Sequence, residues 1–164
     1  MATLQEKAKG TVTVRYVEEK DREDWVRLWR RFIATYANPH LSGDVEKANF
    51  DRFLDPTVKL WSAIAVFTSE ADGSEQVIGF TDFLSHPSTW QTEDKMYLND
   101  LFVDDEFRIG GVGRKLIEFV YAEADKMGCP HVYWNTDHFN HRAQLLYTKV
   151  GYVTDKRIYR RHGF

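Results

Sequence analysis

The sequence predicts one α/β domain: an α+β mixed sheet, mostly antiparallel, with a central parallel β-α-β unit and flanking helices. Three observations carry that prediction. Residues 59–68 and 76–86, KLWSAIAVFT and QVIGFTDFLSH, are rich in β-branched and aromatic side chains and flank the turn Glu70-Ala71-Asp72-Gly73-Ser74, which reads as a hairpin. Residues 96–127 run from an apolar strand through a glycine-rich loop into an amphipathic helix. HVYWNT at residues 131–136 then returns as a strand parallel to the first, so a ligand is expected at the carboxyl ends of the two strands.

The remaining elements follow in order. Residues 1–10 are polar and are expected to be a disordered tail, leaving residues 11–164 as the domain. TVTVRYV at 11–17 alternates and reads as the first strand. Asp21 is a candidate cap for a helix in which Trp25, Leu28, Trp29, Phe32, Ile33 and Tyr36 fall on one face. That spacing marks core rather than a ligand box, with Tyr36, near the helix end, the position to watch. Asn38-Pro39 ends the helix, a second short one is expected over 45–54, and Pro56 closes the region. The loop His86-Pro87-Ser88-Thr89-Trp90 has an aromatic tip that either closes over a substrate or packs a corner.

In the strand before the glycine-rich loop, Leu101-Phe102-Val103 form an apolar triplet ended by Asp104, Asp105 and Glu106. Leu116, Ile117, Val120, Tyr121, Ala124 and Met127 stripe the helix after the loop, and Gly128 with Pro130 stops it. A last helix spans 140–150. Residues 152–161 alternate loosely and are expected to form one or two edge strands, basic in Lys156, Arg157, Arg160 and Arg161.

Composition narrows the function classes. With 164 residues, 43% of them hydrophobic and 15% aromatic, the chain has apolar material for one sizeable core and no second domain. Twenty-two basic against twenty-five acidic side chains give a formal charge of −3, which argues against non-specific attraction to nucleic acid or an anionic membrane and suits a cationic substrate. The single cysteine, Cys129, has no partner for a disulfide. The opening MATLQEKAKG lacks an apolar run of signal-peptide length, and no stretch is apolar for long enough to span a bilayer. The expected compartment is the cytoplasm or the nucleus.

The chemistry begins at Arg108-Ile109-Gly110-Gly111-Val112-Gly113, followed by Arg114 and Lys115. Three glycines in four residues let successive backbone N–H groups face one concavity, to which a helix N-terminus adds partial positive charge. Such a loop is either a diphosphate cradle or a glycine-rich turn capping a helix. A Walker-type loop is excluded because Lys115 comes too early and Leu116, not a hydroxyl residue, follows it; a Rossmann fingerprint needs a third glycine where Leu116 stands. What fits is R-x-x-G-x-G, with Arg108, Gly111 and Gly113. Downstream, the run from Asn140 through Ala143, Leu146, Tyr147 and Gly151 to Tyr152 matches N-x-x-A-x-x-L-Y-x-x-x-G-[FY] at every specified position.

Together the two segments resemble the pyrophosphate loop and the downstream signature of the GNAT superfamily of N-acetyltransferases. The resemblance implies the GNAT acyl-CoA N-acyltransferase fold, acetyl-CoA as co-substrate and no metal. It implies that the backbone of Leu101, Phe102 and Val103 holds the pantetheine arm, with an amide of Phe102 or Val103 placed for the oxyanion. It assigns the diphosphate to Arg108, Ile109, Gly110, Gly111, Val112, Gly113 and Arg114, with Asn140 and Tyr147 also at the cofactor, and Arg114, Lys115 or Lys149 near the adenosine phosphate. Tyr147 is the candidate general acid. The run from Tyr97 to Val103 is similar to the matching strand of diamine acetyltransferases, which makes Asp100 the candidate base. Asn99 replaces one acid of that family's pair, and Asp82 on the neighbouring strand either supplies the missing charge or is an ordinary strand residue. Asp82, Asn99, Tyr36 and Trp90 are the candidate acceptor contacts. His138 and His141 flank the last helix and are candidate caps or surface groups rather than bases.

More widely, the chain resembles small fungal GNAT enzymes described as histone, polyamine or D-amino-acid acetyltransferases. The stretches that carry this include Phe53-Leu54-Asp55-Pro56, residues 119–126, Val132-Tyr133-Trp134 and residues 140–152. This resemblance implies a primary amine as acceptor and a homodimer, or a tetramer, with exchanged C-terminal strands. The leading expectation is a small-molecule acceptor, either a polyamine or a D-amino acid. The alternatives are a protein acetyltransferase acting on lysine in basic tails and a regulatory module that binds CoA without turnover.

Overall fold

The alternating segments pair in the order in which they occur along the chain. The computed structural model describes residues 9–35, 43–107 and 110–163. Strands β1 (Gly10–Tyr16), β2 (Leu60–Ser69), β3 (Glu75–His86), β4 (Lys95–Val103) and β5 (Val132–Tyr133) form one sheet in that sequence, antiparallel except for the parallel pairing of β4 with β5. The predicted hairpin is β2–β3, closed by a turn in which Gly73 has a φ of 71°. The α-helices among the described residues are α1 (Arg22–Thr35), α2 (Gly43–Leu54), α3 (Val112–Lys126) and α4 (His141–Val150).

Two apolar layers hold the helices to the sheet. On one face, Trp25, Leu28 and Trp29 of α1 and Phe50 of α2 pack with Phe80 and Phe102 of the sheet. Trp25 stacks on Trp29 with centroids 5.2 Å apart and planes 13° from parallel. On the other face, Leu116, Ile117, Val120 and Ala124 of α3 cover the sheet, among them Ala65, Phe83, Met96 and Leu98. Burying side chains of this size stabilises by about 1.5–3 kcal/mol each, well beyond what the surface ion pairs contribute. The aromatic stripe of α1 is core, as its spacing predicts.

Four expectations change. Asp21 does not cap α1. It lies in a short 3-10 turn before the helix, where it accepts from the Glu18 amide at 2.8 Å and pairs with Arg15 at 2.6 Å. The strand expected over 131–136 is reduced to Val132 and Tyr133, because the chain leaves β4 after Tyr97. The predicted edge strands at 152–161 do not form: no strand is present there, and Tyr152, Val153, Ile158 and Tyr159 are 86%, 91%, 63% and 89% exposed. The alternation is real, but among the described residues no strand pairs with this segment. The expected tail over 1–10 falls mostly outside the described residues, while Gly10 itself opens β1.

A β-bulge in β4 positions everything that follows. Asp82 of β3 pairs with Asp100, yet Phe83 pairs with Leu98, so Asn99 is the extra residue. A bulge reverses the alternation of a strand. Before it, Met96 and Leu98 face α3; after it, Phe102 faces α1 while Leu101 and Val103 face α3.

Candidate active site

Where β4 and β5 part, a cavity of about 490 Å³ opens at the carboxyl ends of the parallel pair. Its walls are Leu98–Val103 of β4, Gly111–Arg114 at the start of α3, Trp134–Thr136 after β5, and Asn140, Arg142, Ala143, Leu146 and Tyr147 of α4, with Phe32 and Thr35 of α1 at one side. Pairing with β5 covers only Met96 and Tyr97, so among the described residues no strand lies beside Leu98–Val103 on that edge. The edge is a template for an extended ligand.

The α3 N-terminus supplies the second feature. Gly110 and Gly111 have φ of 69° and 74°, the left-handed conformation that L side chains avoid, and Gly111 is the N-cap without any side-chain cap. The first helical bond runs from Lys115 N to the Gly111 carbonyl at 3.0 Å, which leaves the amides of Val112, Gly113 and Arg114 without intrahelical acceptors. All three residues line the cavity. Gly113 also sets the approach of α4, since a Cβ there would meet Leu146 Cδ2 at 3.1 Å. An uncapped, amide-lined helix start facing a cavity is suited to a diphosphate.

Tyr147 stands opposite. It is half-buried on α4, and its ring meets Trp134 edge-on at 5.5 Å and 64°. Asn140 caps α4, its side-chain oxygen accepting from the Ala143 amide at 3.3 Å.

At the β4 bulge, Asn99 Nδ2 donates to Asp100 Oδ2 at 2.7 Å, and the Thr81 hydroxyl donates to the Asp100 carbonyl at 2.9 Å. Burial raises the Asp100 carboxyl above the ordinary carboxylate range. Asp82, across the strand, is 3% exposed and accepts from Trp25 Nε1 at 3.3 Å. Burial first, and then the Asp100 charge, push it well above the usual range.

The cavity thus brings together Asp100, Asn99, Leu101, Phe102, Val103, Gly111, Val112, Gly113, Arg114, Asn140 and Tyr147 among the sequence-predicted residues. Others stand apart. Asp82 does not line the cavity but is buried, with the Trp25 indole of α1 donating to it. Trp90 is 89% exposed and is not among the residues of the cavity wall. Lys149 is exposed away from the cavity, Lys115 is also outside its wall, and Gly110 supports the loop without lining it. Arg114 lines the cavity while pairing with Glu118 at 2.7 Å. Tyr36, Arg108 and Ile109 lie outside the described residues. His138 and His141 are exposed, as expected of surface groups.

Arg142, Trp134 and Phe32 are wall residues that the sequence reading missed. Arg142 falls at an unspecified position of the downstream signature, and Trp134 directly follows β5 at the carboxyl end where β-α-β ligands bind. Among the described residues, no three His, Cys, Asp or Glu side chains gather in a way that would hold a metal ion, and no helix is long and apolar enough to cross a membrane.

Fold and site together define an acyl-CoA-dependent transferase architecture, and the comparisons with known proteins give it a family. The acetyltransferase (GNAT) family matches residues 14–152, and the chain belongs to that family. It is 49% identical over 153 residues to a D-amino-acid N-acetyltransferase, HPA3, of Saccharomyces cerevisiae, covering 93% of this chain and 92% of that one. It is 33% identical over 75 residues to a thialysine N-epsilon-acetyltransferase of Bos taurus, covering 46% and 44% of the two chains. Its fold matches an aminoglycoside N-acetyltransferase, AAC(6')-Iy, solved in complex with CoA, with a TM-score of 0.75 at 23% identity over 94% of this chain and 97% of the other. The protein is an acetyl-CoA-dependent N-acetyltransferase, and the expected GNAT fold is the one observed.

Proposed function

We propose that the acceptor is the amine of a small amino acid of D configuration, and that Asp100 and Tyr147 are the base and acid of the transfer. The observation that carries this reading is the lining of one cavity by an acid and an unpaired cation. Asp100 and Arg142 both face it, and Arg142 has no ion pair among the described residues. A polyamine calls for acids alone, whereas an amino acid brings a carboxylate that needs a cation. The 49% identity to a D-amino-acid N-acetyltransferase supports the same choice.

In this reading the uncapped amides of Val112, Gly113 and Arg114 hold the diphosphate of acetyl-CoA, and the open edge at Leu101, Phe102 and Val103 aligns the pantetheine arm. Arg108, Ile109 and Gly110 complete the loop, and Asn140 fixes the start of α4. The amine nitrogen attacks the thioester carbonyl, a C–N bond forms, the C–S bond breaks, and the sulfur leaves as thiol. An amine of pKa about 10 is almost wholly protonated at neutral pH, so Asp100 must take a proton before attack. A phenol of pKa about 10 is a ready donor to the departing sulfur, although transfer to a thiolate of pKa about 8.5 is uphill by roughly 2 kcal/mol unless the site tunes it. Tyr147 on the cavity wall supplies that donor.

The exposed apolar side chains of residues 152–159 support assembly as a homodimer in which this segment finds its strand partner on a second copy. We place the protein in the cytoplasm, with the nucleus as a second compartment.

The test is thiol release with a panel of both enantiomers of several amino acids, spermidine and a histone-tail peptide. Preference for D-amino acids is the expected result. Preference for spermidine or the peptide overturns the acceptor assignment, and no turnover with any amine favours a CoA-binding module. Sedimentation of the full chain beside a chain ending at Val150 tests the dimer.

A further inference from the structure

We propose that Asp82 and Asp100 hold one proton between them, with Asp82 the protonated partner, so that the acceptor end of the cavity carries a single negative charge presented by Asp100 alone. This rests on reading the cavity as the acetyl-transfer site.

Four carboxyl side chains are buried among the described residues: Asp21, Glu46, Asp82 and Asp104. Three of them have a guanidinium partner. Asp21 pairs with Arg15 at 2.6 Å, Glu46 with Arg30 at 2.8 Å, and Asp104 with Arg31 and, at 4.0 Å, with Arg27. Asp82 has instead a second carboxyl. Asp100 is its register partner across β3 and β4, which sets the two carboxyls side by side on the α1 face of the sheet, where each perturbs the other. Two bare charges on paired positions in a dry site do not coexist, and one proton held by the pair removes one of them.

The surroundings decide which oxygen keeps the proton. Around Asp82 the groups are neutral: the Trp25 indole of α1 donates at 3.3 Å, and the buried Ser62 hydroxyl, its partner across β2, is free to donate. The cations of α1 turn away, Arg27 to Asp24 and the Val77 carbonyl, Arg30 to Glu46 and Arg31 to Asp104. Across the cavity stand the Tyr147 phenol and the Arg114 and Arg142 guanidiniums, with Arg114 paired to Glu118. Asp82 is the more enclosed of the pair, while Asp100 borders the cavity and receives the Asn99 amide at 2.7 Å, which favours its ionised form. Asp82 is therefore a positioning residue. It donates to Asp100, fixes its rotamer and keeps the site at one charge, which suits one α-ammonium better than the spaced charges of a polyamine.

The experiment is isotope-edited infrared spectroscopy of the full-length protein labelled with ¹³C-aspartate, without ligand, from about pH 5 to about pH 9. The expected result is a protonated-carboxyl band that persists through neutral pH and is missing from a folded Asp82→Asn variant. Absence of the band at neutral pH in the unaltered protein overturns the proposal, and so does a band that survives Asp82→Asn unchanged. A kinetic arm reads the same point. Asp82→Asn keeps one charge on the pair, so its kcat falls less than that of Asp100→Asn, and the upper ionisation of the pair leaves its pH profile. Equal losses of kcat in the two folded variants overturn the proposal. The infrared band is independent of turnover, so a band behaving as expected in a protein that releases no thiol supports the shared proton and removes only the acetyl-transfer reading.

Discussion

Trp134 is clamped between the Tyr147 ring, 5.5 Å away and edge-on, and Gly151, where a Cβ would lie 2.8 Å from Trp134 Cη2. The indole after β5 thereby fixes where α4 presents its tyrosine. The contact is with the ring of Tyr147, so packing and proton donation can be separated by removing the hydroxyl alone.

Tyr147→Phe keeps that ring contact and loses the donor. Its kcat is expected to fall by on the order of 10²-fold or more, with the KM for acetyl-CoA changed little and the melting temperature within a few degrees of the parent. Steady-state thiol release and a thermal melt check this, and unchanged turnover removes Tyr147 as the acid.

Gly111→Ala asks an L side chain to adopt a φ of 74° at the N-cap of α3. The expected cost is about 1 kcal/mol of stability. The KM for acetyl-CoA is expected to rise more than kcat falls, because the substitution disturbs the amides of Val112 and Gly113 rather than the reacting atoms. Denaturant melts and kinetics with varied acetyl-CoA measure the two effects.

Asp82→Asn carries a stability signature whose sign follows from burial. The folded carboxyl is raised, so the folded chain binds more protons than the unfolded one once pH passes the ordinary carboxylate range, and stability falls as pH rises through that window. Asparagine removes this penalty. The variant's melting temperature relative to the parent is expected to be higher at about pH 8 than at about pH 4, and a difference that is flat with pH contradicts a raised Asp82.

Asp21 works in the opposite direction. Hydrogen bonds from Arg15 and from the Glu18 amide outweigh burial and hold its carboxyl below the usual range, so its contribution is present above the ordinary carboxylate pKa and is lost as pH falls through the lowered one. Asp21→Ala strands the Arg15 guanidinium and is expected to cost about 2–3 kcal/mol near neutrality, with the gap between variant and parent narrowing in acid; urea melts at two pH values test both parts.

Periodicity and local motifs exposed most of the architecture. The stripe from Trp25 to Phe32, the hairpin around Gly73 and the glycine loop before Val112 each depend on neighbours a few residues apart, and each is found where the pattern puts it. What eluded the sequence depends on distant pairing. The alternation of residues 152–161 is indistinguishable from that of a paired strand, yet only a neighbouring edge makes it one. Asp82 reads either as a source of charge for the site or as an ordinary strand residue, and its register opposite Asp100, eighteen positions away, is visible only once the strands are paired. Arg142 was hidden because the signature around it specifies only its flanks.

The extra residue at Asn99 gives β4 two phases, with Leu98 counted from one end and Phe102 from the other. Length in this strand is therefore a functional variable. Deleting Asn99 would restore simple alternation with Leu98 still opposite Phe83 and Asp100 still opposite Asp82, so both faces would keep their residues while the strand lost its local kink and Asp100 lost the amide that donates to it.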